Sequence, residues 1–323
     1  MDEVKLSIII VNWNAAGFLR KCLDSLGASA LPTAHEIIVI DNASTDDSPN
    51  IAREFPHVRY VQNIANAGFA RGNNQAVEMA GGEYICLLNP DVVISDPTVF
   101  SRWIAFMDVH GEAAASGCKL VFPDGSHQVG DAGFCPGFRS AVNYALFLSK
   151  FFPRRVKSLF VTSGTLVKEM EVDWVCGAGL MVRRSILSRT GLLDESIFMY
   201  AEDVEWGCRM RSYGYKVYYL PFLRIVHYQG ASTKTTQIGR AVSSLWLLNM
   251  RRLYLRLHPV QPAFFYDAVM SFGFLLRAAL YYMASLRACN GAAKGKSYDM
   301  FQYFLFSAKF IGGHGDNIAS GGV

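Results

Sequence analysis

Four short apolar runs, each ending on an Asn or Asp and each parted from the next by helix-like sequence, constrain this chain more than any other feature. Leu6-Ser7-Ile8-Ile9-Ile10-Val11 is rich in β-branched residues and too short for a helix, as a strand buried on both faces of a parallel sheet should be. It leads into Asn12 and Asn14. Glu36-Ile37-Ile38-Val39-Ile40 is the second run and ends on the polar cluster Asp41-Asn42-Ala43-Ser44-Thr45-Asp46. Val58-Arg59-Tyr60-Val61 leads towards Asn66, and Tyr84 to Leu88 runs into Asn89-Pro90-Asp91. Helix-like sequence reaches about Leu26 and about Ala80, so the pattern predicts an α/β fold with a mostly parallel central sheet flanked by helices. Ligands of such sheets sit beyond the carboxyl ends of the strands. Asn12, Asp41, Asn66 and Asp91 should therefore gather in one cleft, although any one of them alone is an ordinary loop residue.

Further on, a helix is expected from Val99 to Met107 and a strand from Ala113 to Phe122, entering a Pro123-Asp124-Gly125 turn. Residues 125–172 lack periodicity and show aromatic groups at Phe134, Phe138, Phe151 and Phe152, which suggests a mobile flap. Small residues return at Gly177-Ala178-Gly179, where backbone can approach a ligand or another segment closely. A helix should run from Asp203 to Tyr213, with strands at Lys216–Leu220 and Leu223–His227. Glu202 and Asp203 would stand at that helix start, where carboxylates are favoured as caps whatever else they do.

With 323 residues, 51% of them hydrophobic and 18% charged, the chain can build a large core and is not a disordered protein. The formal charge of +4 is unevenly spread, since residues 234–323 hold 10 Lys/Arg against 3 Asp/Glu and the remainder 21 against 24. A basic tail implies an anionic partner, and without a recognition motif for nucleic acid a membrane surface is the better match. The seven cysteines are scattered with no Cys-x-x-Cys pair, which argues against zinc or dithiol chemistry and for a reducing cytosol. No secretory signal is expected in the first residues. The absence of Gly-x-Gly-x-x-Gly after the first run disfavours a dinucleotide-dependent oxidoreductase.

Seven motifs together resemble glycosyltransferase family 2, with the GT-A (nucleotide-diphospho-sugar transferase) fold, and in detail its rhamnosyltransferase-like members. They are SIIIVNWN (7–14), VIDNASTD (39–46), NAGFARGNN (66–74), LLNPDV (87–92), GAGLMVRR (177–184), GLLDESIFMYAEDVEWGCRMRSYGY (191–215) and HYQGAS (227–232). The resemblance covers about 7–232. It implies a GT-A catalytic domain over 1–233, with a nucleotide-binding half to about 122 and an acceptor-side half over 123–233, followed by a basic, apolar helical tail over 234–323.

The resemblance also assigns roles. Asp41 would contact the pyrimidine base, and Asn12, Asn14 and Asn89 count with it among the residues of the nucleotide site. Asn66, Gly68, Arg71, Asn73 and Asn74 would hold the nucleotide, Arg71 near phosphate. Asp91 would be the main carboxylate for a divalent cation, Mg²⁺ or Mn²⁺, although the usual Asp-x-Asp is here Asn89-Pro90-Asp91, with one anionic ligand replaced by an amide. His227 resembles the late histidine that completes the metal and diphosphate site, turned inward by Gly230, or else is structural. Asp203, preceded by Glu202, matches the general base of an inverting displacement. Asp194 and Glu195, with Gly177, would approach donor or acceptor sugar, and Trp174 would stack on a sugar face or sit in the core.

The implied function is transfer of a sugar, foremost L-rhamnose from dTDP-rhamnose, to a saccharide or polyprenyl-linked acceptor in cell-surface polysaccharide synthesis. The alternatives are a galactofuranosyl or hexosyl donor, or a sugar-nucleotide binding protein without turnover. In the tail, Arg251, Arg252, Arg256, Arg277 and Arg287 interleave with Trp246, Tyr254, Phe264, Phe265, Tyr281 and Tyr282. That pattern suggests helices lying at the inner face of the cell membrane, or packed on the catalytic body or a second subunit as in a homodimer. Asp267 and Arg277 interrupt the apolar stretch 263–286, which argues against a spanning helix.

Overall fold

The structure, a computed structural model, describes residues 4–228, 238–288 and 291–311, with side chains left out at 238–244, 287–288 and 291–292. Gly230, and the side chain of Arg287, lie outside the described residues. The chain divides into two units, one of Met1–Gly133 with Phe160–Gly239 and the other of Phe134–Leu159 with Arg240–Val323.

The first unit starts as the sequence pattern requires. Strand β1 (Leu6–Asn12) is buried at all seven positions and lies between β2 (His35–Asp41) and β4 (Tyr84–Leu88), parallel to both. Helix α1 (Ala16–Gly27) covers it through Leu19, Cys22, Leu23 and Leu26, the spacing of one helical face. Burial of each such leucine is worth about 1.5–3 kcal/mol. Next come α2 (Ser48–Arg53), β3 (Val58–Gln62), parallel to β2, and α3 (Phe69–Met79). After β4 follow β5 (Val92–Val93), α4 (Val99–Val109), β6 (Ala113–Val121) and β7 (Ala132–Gly133).

The second unit contributes α5 (Phe138–Ala145) and α6 (Leu148–Phe151), so the stretch expected as one flap divides between the units. The first unit resumes with β8 (Met170–Val172), β9 (Trp174–Val175), β10 (Gly179–Arg183), α7 (Leu187–Thr190), α8 (Glu202–Ser212) and β11 (Lys216–His227). The main sheet runs β3-β2-β1-β4-β10-β6-β11-β5 with β8 beside β11. It is mixed, because β10 is antiparallel to β4 and β6 while β11 is parallel to β6. The two strands expected at 216–227 are one, with a register shift between Leu220 and Arg224. Pro221 lies at that break, where it has no N–H to give to a ladder.

This topology sets the edge that matters. Asn12 pairs in register with Asp41. Gly179, at the amino end of β10, lies opposite Leu88 at the carboxyl end of β4. His227, at the carboxyl end of β11, lies opposite Val92. Strand ends distant in sequence thus share one edge.

In the second unit, α9 (Ile238–Leu257), α10 (Ala263–Ala288) and α11 (Gly291–Ile311) join α5 and α6. Two residues expected at a membrane surface are internal instead. Arg277 is buried, donates to the backbone oxygens of Tyr144, Ala145 and Gly273, and lies over the rings of Tyr144 at 3.9 Å and Phe147 at 4.1 Å. Burial lowers its affinity for the proton. Arg251 pairs with buried Asp267 at 3.0 Å. Tyr254 is buried as well, stacked on Tyr266 at 4.1 Å, whereas Phe264, Phe265 and Tyr282 are exposed. Among the described residues one helix, Ala263–Leu286, is long and apolar enough to cross a membrane by length and composition, its two charges being taken up inside the unit.

Cys22, Cys86, Cys118 and Cys176 are free thiols, while Cys135 and Cys208 are disulfide-bonded, contrary to the fully reduced chain expected from their spacing.

Candidate active site

The nucleotide end of the cleft is built by a short network. Asn12 Nδ2 donates to Asp41 Oδ2 at 2.7 Å and to Ser44 Oγ at 3.2 Å, and the Ser44 amide donates to Asp41 Oδ1 at 2.7 Å. Asn14, exposed at φ 49°, accepts from the Thr45 amide at 2.8 Å. Asp41 is fully buried with both oxygens engaged, so it shapes this loop and is not open to the base contact expected of it. Asn12 Oδ1 is the one buried atom of the group with no partner.

Gly68 opens α3 at φ +86°, and a Cβ there would lie 2.8 Å from the Phe198 carbonyl oxygen, so glycine is required by conformation and space together. Its amide donates to Asn66 Oδ1 at 3.0 Å. Asn73 and Asn74, expected at the nucleotide, serve the fold. Asn73 is buried and donates to Phe69 O at 2.9 Å. Asn74 exchanges two hydrogen bonds with the Leu193 backbone and donates to Glu195 Oε1 at 3.0 Å. It thereby clasps the loop that carries Asp194 and Glu195 to the middle of α3. Arg71 is exposed, 4.0 Å from Glu195 Oε2, a pairing weak enough to release its guanidinium to a phosphate. Asp194 Oδ1 accepts from the Ser196 amide and hydroxyl, which fixes the turn leading to Glu195.

Beyond β4 stands the second cluster. Asp91 Oδ1 lies 3.2 Å from His227 Nε2, and Asn89 Nδ2 lies 3.4 Å from the same nitrogen. The pairing of β5 with the end of β11 makes this meeting, and the Tyr228 amide donating to Asp91 O at 2.9 Å locks it. His227 Nδ1 lies 2.6 Å from Gln128 Oε1. A carboxamide oxygen only accepts, so Nδ1 carries a proton and the contact aims Nε2 at the Asp91 carboxylate. Nε2 and the Asp91 carboxylate face each other while the buried Asn89 Oδ1 lacks any partner, so three groups with ligating atoms meet at one point. Carboxylate, imidazole and amide oxygen suit a divalent cation that takes its other ligands from a diphosphate. Among the described residues, no cluster of three His, Cys, Asp or Glu could hold a metal without such help. Gln128 escaped the sequence reading because nothing in the unpatterned stretch 125–172 marks it.

The third cluster is strained. Tyr200 and Ala201 both adopt positive φ, 66° and 73°, immediately before α8. They deliver Glu202 and Asp203 into its first turn. Asp203 Oδ2 accepts from the Gly177 amide at 2.9 Å and Oδ1 from the Val204 amide at 2.8 Å, so cap and held carboxylate are one structure. Glu202 is buried, and its Oε2 has no partner. Burial, with adjacent Asp203 adding to it, pushes the Glu202 carboxyl well above the ordinary range. Burial also raises Asp203, opposed by the amides of Gly177 and Val204.

Trp174 takes the core alternative. It is buried edge-on against Phe160 at 5.8 Å, and a Cβ on Gly207 of α8 would come within 2.7 Å of it. No sugar can stack there.

A family model for glycosyl transferase family 2 matches residues 7–189. The N-acetylglucosaminyl-diphospho-decaprenol L-rhamnosyltransferase of Mycobacterium tuberculosis (strain H37Rv) is 30% identical over 248 residues, 71% of this chain and 77% of that protein. Rhamnosyltransferase WbbL of Escherichia coli K12 is 26% identical over 231 residues, 68% of this chain and 82% of that one. Among solved structures, a mannosyltransferase from Pyrobaculum calidifontis in complex with GDP-Man and Mn²⁺ matches with a TM-score of 0.61 at 15% identity, covering 95% of this chain and 86% of its own. That likeness is one of fold. The chain belongs to glycosyl transferase family 2 and is a glycosyltransferase with the GT-A fold.

Proposed function

We propose that the protein is an inverting rhamnosyltransferase that moves L-rhamnose from dTDP-rhamnose to a lipid-linked saccharide in cell-surface polysaccharide synthesis. The observation that carries the chemistry is Asp203, held by two amides at a strained helix start and raised by burial. The donor and acceptor classes rest on the names of the relatives in M. tuberculosis and E. coli.

The acceptor hydroxyl gives its proton to the Asp203 carboxylate as its oxygen attacks the anomeric carbon. The bond from that carbon to the diphosphate breaks, and dTDP leaves with the electron pair. A base raised by burial is the stronger proton acceptor once ionised, and general-base assistance of this kind contributes roughly 10²–10⁴-fold. Glu202, buried behind it and pushed well above the ordinary range, holds its own proton and leaves Asp203 as the carboxylate of the pair.

Asp91, His227 Nε2 and Asn89 Oδ1 are the groups that would hold Mg²⁺ or Mn²⁺, whose charge would offset that of the leaving diphosphate. Arg71 is free to add a second positive charge at phosphate. Asn14, Asn66 and Gly68 line the nucleotide end, with Asn12 and Asp41 as their internal brace. Gly177, Asp194 and Glu195 border the sugar. The acceptor would be met at the inner face of the cell membrane, with the second unit in contact with lipid.

The test is a donor panel read by release of free nucleotide diphosphate, with and without Mg²⁺ or Mn²⁺. Metal-dependent release from dTDP-rhamnose, above that from hexosyl and galactofuranosyl donors, is expected. Preference for another donor would overturn the rhamnose assignment, and binding without release from any donor would overturn catalysis.

A further inference from the structure

Residues 134–159 carry five Lys/Arg and no Asp or Glu. All five, Arg139, Lys150, Arg154, Arg155 and Lys157, are exposed. Among them Phe151 is 70% exposed, Phe152 53% and Leu146 44%, values that need explaining for large apolar groups crowded into one short segment. The inner side of the segment is secured, because Ala141 and Ala145 are buried and Arg277 of α10 donates to the backbone oxygens of Tyr144 and Ala145. Phe147 at φ 59° separates α6 from the end of α5, and Pro153 follows so closely that the helix cannot continue. The segment is therefore a fixed knuckle with a basic, aromatic outer side.

The charge around it is one-sided. The second unit holds 14 Lys/Arg against 3 Asp/Glu, whereas the first holds 17 against 24. Of those three acids, Asp267 is buried against Arg251 and Asp316 lies outside the described residues, which leaves Asp299. Lys150, Arg154 and Arg155 have no ion-pair partner among the described residues. The same unit exposes Phe264, Phe265, Phe272 and Leu286 on α10. Aliphatic and aromatic surface of that extent has no use on a nucleic acid, which would take the cations and stack on single rings. It matches a lipid interface, where apolar groups enter the headgroup boundary and cations face anionic phosphates.

We propose that the knuckle Lys150–Arg155 is a membrane anchor, with Phe151 and Phe152 entering a leaflet rich in anionic lipid and Lys150, Arg154 and Arg155 holding its headgroup phosphates. Its purpose rests on the reading of a lipid-linked acceptor, but lipid binding is measurable without transfer.

The experiment is co-sedimentation of the full chain with phosphatidylcholine vesicles, alone or with about 30% phosphatidylglycerol, at low and high salt. Binding to the anionic vesicles only, weakened by salt, is expected. Phe151→Ser with Phe152→Ser should lower partitioning about tenfold or more, and Arg154→Gln with Arg155→Gln about 25-fold, near fivefold for each charge. Both doubles should keep wild-type turnover on a short water-soluble acceptor, which also reports that they fold. Phe152→Trp guards against a folding defect in the serine double and should show a blue-shifted emission on anionic vesicles. Wild-type protein that ignores these vesicles, doubles that bind as wild type does, tryptophan emission that stays put, or a chain that binds duplex DNA or RNA in preference to vesicles would each overturn the anchor. Vesicle binding by a chain that turns over no dTDP-rhamnose would leave the anchor standing and remove the donor assignment.

Discussion

Two buried carboxylates in the same unit, Asp41 and Glu202, are treated in opposite ways. Asp41 ends a strand with both oxygens fed by donors from Asn12 and Ser44. Glu202 stands after two residues of positive φ with one oxygen unpartnered and its proton held by burial. The first pattern makes shape, since a satisfied network fixes a loop and asks for nothing more. The second holds a protonated, half-satisfied carboxyl beside Asp203, where a proton must be received. The Asn89-Asp91-His227 cluster belongs with the second kind, having a ring nitrogen and a carboxylate face to face beside an orphaned amide oxygen. Strain and missing partners, more than the count of polar groups, separate chemistry from scaffold in this cleft.

Substitutions can break this contrast. Asp91→Asn should lower kcat by about 10²–10³-fold, the scale on which one electrostatic group serves a leaving charge, with little change in melting temperature. A large loss of stability with modest loss of turnover would move Asp91 to the scaffold. Gln128→Ala should weaken Mn²⁺ binding in calorimetry about 10–100-fold by releasing the His227 ring, and unchanged affinity would show that the Gln128 contact does not orient it.

On the scaffold side, Asp41→Ala should cost about 1–3 kcal/mol in denaturant unfolding, because it strands the buried amides of Asn12 and Ser44. Glu202→Gln should have the smallest effect and the opposite sign. The folded chain retains a proton on Glu202 that the unfolded chain loses above the ordinary glutamate value of 4.5, so wild-type stability falls as pH rises past that point. The variant escapes this loss, and its melting temperature should exceed that of wild type increasingly towards neutral pH, with no difference at low pH. A deficit at neutral pH would mean that the charge of Glu202 is held by partners after all.

The strand-end edge was legible because β-branched runs and their Asn or Asp endings obey local rules, and the register of Asn12 with Asp41 follows from them. The motif resemblance singled out Asp203 and His227, which stand in the first turn of α8 and at the end of β11. What escaped depends on contacts across long separations. Gln128 reaches His227 from a stretch without periodicity, and Asn74, a loop-like polar residue in sequence, is buried by the Leu193 backbone. Trp174 looks the same in sequence whether it faces a sugar or Gly207. Arg277 read as a surface charge because sequence does not show the carbonyls and rings that α5 and Phe147 bring to it. The covalent state of Cys135 and Cys208 was likewise invisible in their spacing.

The central claim is that proton removal belongs to Asp203 and donor binding to other groups. Turnover and donor affinity of Asp203→Asn, measured side by side with dTDP-rhamnose, test it most directly. The account predicts kcat lower by about 10²–10⁴-fold with the Kd for donor within about twofold of wild type. Near-normal turnover, or a loss confined to donor affinity, would contradict it.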